Sequence, residues 1–190
     1  ICDRYGILFI DDEVVTGFGR TGKNFGMDHW GVIPDIIVTG KGISSGYTPL
    51  GAVIVHEKVF DVLLNSRRSS IFLGYTYSGN PLSCAIGRAV LKYLQSNKLV
   101  ERAATMGSYL IDKLDRFADL PLVGDIRGKG LLIGIELVKD KRTKAPFERS
   151  LKVAETLSSR AFEKGLIIYP GSGTADGVNG EHIIISPPFI

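Results

Sequence analysis

Short apolar runs alternate with glycine-rich turns along the first part of the chain. Three of these runs, at residues 7–10, 36–38 and 52–55, are continuously apolar and lack the every-second-residue alternation of a half-exposed strand. A continuous apolar run of this length is typical of a strand buried on both faces. The pattern therefore predicts the interior of an α/β sheet rather than a β-sandwich.

Helical periodicity begins after residue 80. Asn80 followed by Pro81 is the pattern of an N-cap residue with proline at the first helical position, so a helix is predicted to begin there. Its apolar stripe consists of Ala85, Ile86, Ala89, Val90, Tyr93 and Leu94. A second stripe recurs every three or four residues over 99–117 and predicts another helix.

The last third of the chain mixes strand and helix patterns. Residues 131–138, 166–169 and 182–186 predict strands, and a glycine-rich loop separates the last two. Residues 151–164 predict a helix that ends at Gly165, because glycine commonly follows the last helical turn.

The pattern divides the chain inside its helical stretch, near residues 95–100. We expect an α/β fold in which 1–96 form part of a larger sheet domain and 97–190 form a smaller α+β domain, truncated at its end. The chain starts one step before a strand and stops soon after one. We therefore also expect it to be a fragment of a longer protein.

Composition narrows the function classes. Of the 190 residues, 44% are hydrophobic and 23% are charged, which supplies a sizeable core and excludes disorder. The net charge of +3 is dispersed along the chain, so we expect no nucleic-acid partner. The apolar runs are too short for a membrane span. Two cysteines without CxxC spacing indicate reduced thiols in a cytoplasmic protein.

Charged side chains follow two of the predicted strands. Asp12 and Glu13 come at the end of the first strand, and Lys41 comes just after the second. Ligands of open α/β sheets bind outside the carboxyl ends of the strands, so these residues are candidates for a site. Glycines on both sides of Lys41 would let a ligand approach closely. The alternative is that these residues form a plain ion pair at the sheet edge and bind no ligand. Their position alone does not distinguish the two interpretations.

Several familiar motifs are incomplete in this chain. The glycines around Lys41 do not make a Walker A loop, because Asp35 takes the place of its first glycine and Gly42 that of its Ser or Thr. Asp176 likewise replaces the third glycine of a dinucleotide-binding pattern that begins at residue 171. The three histidines lack metal-ligand spacing, and no serine lies in a nucleophile elbow. We predict neither a metal site nor serine hydrolase chemistry.

Four segments in order resemble the signature of class III aminotransferases, the pyridoxal-phosphate (PLP) enzymes of fold type I. They read FIDDEVVTGFGRTG at 9–22, PDIIVTGKGISSGY at 34–47, PLGAV at 49–53 and YTYSGNP at 75–81. Each segment is short, but all four occur at the separations found in the family, and the likeness extends to the last residues. The resemblance implies the C-terminal part of such an enzyme, with 1–96 as the C-terminal half of its large PLP-binding domain.

The resemblance also implies residue roles. Lys41 would hold the PLP aldehyde as a Schiff base and then shuttle a proton, which suits a lysine amine. Asp12 would pair with the pyridine nitrogen and keep it protonated, so that the ring accepts electrons. Val14 would pack under the ring. Tyr75 and Thr76 would bind the phosphate, with Thr76 reaching the partner's cofactor in a homodimer. Thr76 as a turn hydroxyl that caps the following helix is the alternative.

Two positions depart from the family pattern. Tyr169 stands where many relatives acting on ω-amino acids have a carboxylate-binding arginine, and Val15 stands where some have glutamine. We expect amino transfer from an amine or ω-amino acid to a keto acid such as pyruvate, with the segment alone inactive. A decarboxylase, aminomutase or racemase on the same fold, and a non-catalytic subunit that retains it, are the alternatives.

Overall fold

The computed structural model describes residues 1–65 and 74–190. The chain divides into two compact units, Ile1–Glu101 and Arg102–Ile190. The division falls within a helix, as expected for a boundary in the helical stretch, although a few residues beyond the predicted position. The assignment of residues 1–96 and 97–190 to the large and small domains of an enzyme stays a prediction.

The helices and strands follow one another in a mixed α/β order. The helices are α1 (Cys2–Tyr5), α2 (Glu57–Asn65), α3 (Pro81–Ser96), α4 (Leu99–Leu114) and α5 (Val153–Glu163). The strands are β1 (Ile10–Asp12), β2 (Ile36–Thr39), β3 (Ala52–Val55), β4 (Val123–Lys129), β5 (Leu132–Leu137), β6 (Tyr169–Ser172) and β7 (Glu181–Ile185). Short 3₁₀ turns lie at Gly26–His29, Lys41–Ile43, Asp115–Phe117 and Arg149–Leu151.

The first unit is built on a three-stranded sheet with β2 in the middle. β1 runs parallel to β2, with Asp12 opposite Val38, and β3 runs antiparallel to β2. The Asp35 carboxylate accepts the Phe9 N–H at 2.8 Å and pairs with Lys58, so it holds the start of β1 beside β2. The carboxyl ends of β1 and β2 therefore emerge side by side.

The predicted first strand was wrong in extent and burial. The strand begins at Ile10 rather than at residue 7, and it continues through the acids Asp11 and Asp12. Ile10 is 58% exposed rather than buried on both faces. Backbone pairing with β2 determines which residues form β1, and the described elements do not cover the Ile10 side chain. The strands predicted at 36–38 and 52–55 agree with β2 and β3.

Local capping chemistry sets the start of α3. The Asn80 side chain accepts the Ser83 N–H at 3.0 Å, and Pro81 is the first helical residue, as predicted. The second apolar stripe forms α4 and the 3₁₀ turn after it. None of the helices in the described ranges is both long enough and apolar enough to span a membrane.

The second unit is a four-stranded antiparallel sheet in the order β4-β5-β7-β6, with α5 packed against β6 and β7. Its core is apolar, and Ile133 on β5 is fully buried. The other buried members of this core are Leu114, Val123, Ile135, Leu137, Ala154, Ile168 and Ile183. Buried and half-buried positions alternate along β5, as in a sheet with one face covered more fully than the other.

Strand boundaries in the second unit differ from the sequence pattern. β4 was not predicted, because two glycines and three charged residues interrupt the apolar pattern expected of a strand. It nevertheless pairs along its length with β5. The strand expected at 166–169 begins only at Tyr169 and runs through Pro170. Proline is tolerated there because β6 is an edge strand.

Candidate active site

The carboxyl edge of the β1–β2 pair carries the candidate residues Asp12 and Lys41. Asp12 ends β1, and Lys41 lies two residues beyond the end of β2. The Glu13 N–H donates to the Val38 carbonyl at 2.8 Å, so the parallel pairing continues past Asp12. The sequence argument placed both side chains at this edge, and the structure brings their backbones there.

Val14 lies in the turn that follows β1. The strand ends at Asp12, and the Glu13 carbonyl accepts the Gly17 N–H at 2.9 Å, so the chain is no longer extended at Val14. One Asp12 carboxylate oxygen accepts the Val14 N–H at 3.0 Å. The Val14 methyl groups lie so close to Gly40 that a Cβ there would be 3.4 Å from them. Val14 thus packs beside the residue that precedes Lys41.

Lys41 has an unusual backbone for a residue with a side chain. Its φ is +39°, in the left-handed region that glycine favours, and it opens a 3₁₀ turn directly after the extended Gly40. Its side chain is exposed. Within the part of the chain that the structure describes, Lys41 forms no ion pair, so the edge ion pair with Asp12 does not occur.

The loop after Lys41 is held from both sides. A Cβ on Gly42 would lie 3.2 Å from the Gly17 carbonyl oxygen, so the turn that follows β1 packs directly on it. A Cβ on Gly87 of α3 would lie 2.6 Å from the Leu50 side chain and 3.4 Å from the Ile43 carbonyl oxygen. These close approaches fix the backbone around the lysine.

Two carboxylates occupy the face opposite Asp12. Glu13 is 1% exposed; burial opposes its ionisation, but hydrogen bonds from Thr16 and from the Gly26 and Met27 N–H groups outweigh it and lower the Glu13 pKa. Burial, then hydrogen bonding and repulsion from Glu13, raise the pKa of Asp11 to about 6. The adjacent acids thus differ sharply in their readiness to ionise.

Tyr75 and Thr76 lie in a turn before α3. The Tyr75 ring is 84% exposed, and Thr76 is exposed as well. Asn80 caps α3, and the Ser78 hydroxyl accepts the Tyr75 N–H at 2.9 Å. The cap predicted as the alternative role of Thr76 is therefore filled by another residue. No hydrogen bond or ion pair of the described chain links Thr76 to Asp12 or Lys41.

The sequence and these structural features agree with one family. The family model described as aminotransferase class-III matches residues 1–189. The chain belongs to the class III aminotransferases. This finding confirms the resemblance seen in the sequence, and the family is PLP-dependent.

Three class III relatives illustrate the likeness. An omega-aminotransferase of Caulobacter vibrioides is 41% identical over 100% of this chain and 40% of its own length. A transaminase from the marine bacterium Virgibacillus has a TM-score of 0.91 at 41% identity, covering 100% of this chain and 42% of its own. An amine transaminase from an uncultivated Pseudomonas species, solved in its PLP-bound form, has a TM-score of 0.90 at 40% identity, covering 99% and 41%. The chain thus spans well under half of each relative.

The class III chain offers a donor set that fits PLP. The exposed lysine amine, which has no ion-pair partner among the described residues, is able to bind an aldehyde, and an exposed carboxylate on the neighbouring strand is able to pair with a pyridine nitrogen. Val14 adds an apolar side chain beside Gly40. Among the described residues, no group of three or more His, Cys, Asp or Glu side chains is arranged to hold a metal.

Sequence reasoning left the buried face of this edge undecided. Glu13 was only a candidate residue of this edge, with an ion pair as the alternative, and the structure gives it hydrogen bonds from the loop that follows β1. The only sequence signal for its burial is that it is an acid next to Asp12 at the strand end. Tyr169, where the resemblance implies an arginine in many relatives, is an exposed residue at the start of β6, and its effect on substrate stays a prediction.

Proposed function

We propose that the full-length protein is a PLP-dependent aminotransferase that moves an amino group from an amine or ω-amino acid to a keto acid such as pyruvate. The observation that carries the proposal is the exposed Lys41, held in a left-handed backbone conformation at the sheet edge beside Asp12. The names of the relatives, an omega-aminotransferase and an amine transaminase, support the choice of donor.

PLP, when bound, supplies an electron sink for the charge that develops on the substrate carbon. Lys41 Nζ would hold the cofactor through its aldehyde, and its free amine would carry a proton from the substrate carbon to the cofactor carbon that bore the aldehyde. Asp12 uses its carboxylate to hold a proton on the pyridine nitrogen. Its one described hydrogen bond, from the Val14 N–H, leaves acceptor capacity for that contact. The apolar Val14 side chain would pack against one face of the cofactor ring.

The phosphate contacts are assigned to the turn before α3. Tyr75 and Thr76 offer exposed groups, and the Thr76 hydroxyl has no hydrogen bond within the described residues. In the proposed homodimer, Thr76 reaches the cofactor of the partner subunit. Cys2 and Cys84 are free thiols, which supports the proposed cytoplasmic location.

Borohydride trapping tests this function. The full-length protein is incubated with PLP, reduced and digested, and the pyridoxyl mass is located by peptide sequencing. We expect the label on Lys41 and its loss in Lys41→Arg. Lys98→Arg is the matched control, because Lys98 is also exposed with a positive φ of 51°. Folded protein without label at Lys41 overturns the proposal.

Acceptor profiling tests the reaction type. Unreduced enzyme loaded with PLP is supplied with amine donors and with pyruvate or 2-oxoglutarate, and the amino acid product is measured. Product formation supports amino transfer. Unreduced enzyme that converts no keto acid with any donor, but decarboxylates, racemises or shifts the amino group, overturns it in favour of the alternative reaction.

A further inference from the structure

Glu13 is a buried acid at the edge of the candidate site. It lies between Asp12 and Val14 in sequence, yet it is 1% exposed, whereas Asp12 is exposed and Val14 is half-buried. Its backbone is held on both sides, because its N–H donates to the Val38 carbonyl at 2.8 Å and its carbonyl accepts the Gly17 N–H at 2.9 Å. The residue therefore lies at the junction of strand and loop.

The Glu13 carboxylate joins two separate stretches of that loop. Oε1 accepts the Met27 N–H at 3.0 Å, and Oε2 accepts the Thr16 hydroxyl. A Cβ on Gly26 would lie 3.2 and 3.3 Å from the two oxygens, so only glycine lets the loop approach this closely. In the described residues, no cation pairs with this carboxylate.

A buried carboxylate without a cation is costly unless hydrogen bonds satisfy it. Here the donors come from a loop that runs back to the strand over more than ten residues, so the charge and the loop hold each other in place. Loss of the carboxylate would release the loop from the strand. The two residues on either side, Asp12 and Val14, would then lose their fixed direction.

We propose that Glu13 is a positioning residue: by joining Thr16, Gly26 and Met27 to the end of β1, it directs Asp12 and Val14 at the cofactor ring. The proposal rests on the proposed function, since it concerns the same site. Glu13 thus has a role distinct from that of Asp12, its neighbour at the strand end. Glu13 acts through its neighbours and touches neither cofactor nor substrate.

The test compares Glu13→Ala and Glu13→Gln in the full-length enzyme loaded with PLP. Glutamine is able to accept the Met27 N–H with its oxygen and to donate its amide to the Thr16 hydroxyl, so it keeps most of the contacts. Three readouts are taken: kcat and KM for the amine donor, the pH titration of the bound cofactor's absorbance, and Tm.

We expect Glu13→Ala to lower kcat by about 100-fold, the effect of a displacement near 1 Å at a reacting centre, with a smaller change in KM. We also expect a displaced absorbance titration, since the partner of the pyridine nitrogen has moved. Glu13→Gln is expected to restore most of both. Glu181→Gln is the control, because Glu181 is also fully buried and hydrogen-bonded, to Ala154 of the second unit. It should lower Tm and leave the titration unchanged.

Two results overturn the positioning role. One is Glu13→Ala with a lowered Tm but wild-type kcat and titration. The other, if the alanine variant does not fold, is a folded Thr16→Val variant, which lacks the hydroxyl that Glu13 binds, with a lowered Tm but wild-type kcat and titration. Failure of the proposed function is seen separately, in the wild type, as folded protein that carries no label on Lys41; both proposals then fall.

Discussion

Gly107 of α4 is predicted to be a glycine that alanine cannot replace. A Cβ at this position would lie 2.1 Å from the Gly130 carbonyl oxygen, 2.3 Å from its carbon and 2.5 Å from its Cα. Gly130 forms the tight connection between β4 and β5 and has a φ of +54°, so its backbone has little freedom to move away.

The magnitude follows from two opposing terms. In the interior of a helix, alanine is preferred over glycine by about 1 kcal/mol. Against this, an ordinary contact begins near 3.4 Å, so the new Cβ requires a backbone displacement of more than 1 Å. Overpacking of this kind costs about 1–3 kcal/mol or more, and backbone atoms cannot rotate away as side chains do. Because the clash is with backbone atoms, we take the upper end of this range, about 3 kcal/mol; less the helix preference of about 1 kcal/mol, the expected net loss is about 2 kcal/mol.

The assay is thermal unfolding of the full-length protein, with Gly134→Ala as the matched control. A Cβ on Gly134 of β5 would meet only the Arg127 carbonyl oxygen, at 3.9 Å, so alanine fits there. Gly107→Ala should lower Tm by about 4–8 °C, from about 2–4 °C per kcal/mol for a chain of 190 residues or so, while Gly134→Ala leaves it unchanged or raises it slightly. Equal Tm values for the two variants would refute the reasoning.

Three further predictions concern single side chains. Burial and Glu13 raise the pKa of Asp11 from 3.8 to about 6 in the folded state. The folded state therefore binds this proton more tightly than the unfolded chain does, and the stability gained from it is complete below pH 3.8 and is lost as pH rises through about 6. Asp11→Asn should therefore raise Tm relative to the wild type at pH 8 and lose that advantage at pH 4; a constant difference across this range contradicts the assignment. Asn80→Ala should cost about 1 kcal/mol in urea unfolding, because the Ser83 N–H loses its cap, and Asn80→Asp should restore most of it. Glu181→Ala should cost about 3 kcal/mol in the same assay, since the side chain accepts the Ala154 N–H at 2.7 Å in a fully buried position; a loss below 1 kcal/mol would argue against it.

Elements with local signals were predictable from the sequence. Asn80 and Pro81 mark the start of α3 because the cap and the proline act within one turn of helix. β2 and β3 are apolar runs with a glycine at one end, Gly40 after β2 and Gly51 before β3, and both occur where the pattern predicts them. Gly165, with a φ of +82°, follows the helix predicted to end there.

Elements that depend on distant partners were not predictable in the same way. β4 is a strand because β5 pairs with it, although its own residues favour turns. Asp11 and Asp12 extend β1 because β2 supplies their backbone partners, and no apolar run announces this.

The candidate site shows the same division between local and distant signals. Asp12, Val14 and Lys41 could be placed at one edge from strand ends alone. The burial of Glu13 could not, because it requires residues 16–27 to fold back onto the strand. The backbone strain at Lys41 is likewise visible only in three dimensions.

The run of three acids at the end of β1 has a consequence for aligning and redesigning such chains. Neighbouring positions of a strand point to opposite faces, so a slip of one residue would still present a carboxylate where Asp12 now stands. Acidity at this point is therefore a poor guide to register. The packing of Val14 beside Gly40 is a better guide, because a strand slipped by one residue would lose this contact. A library that varies Asp11 and Asp12 while keeping Glu13, Val14 and Gly40 would hold the frame fixed and vary only the chemistry.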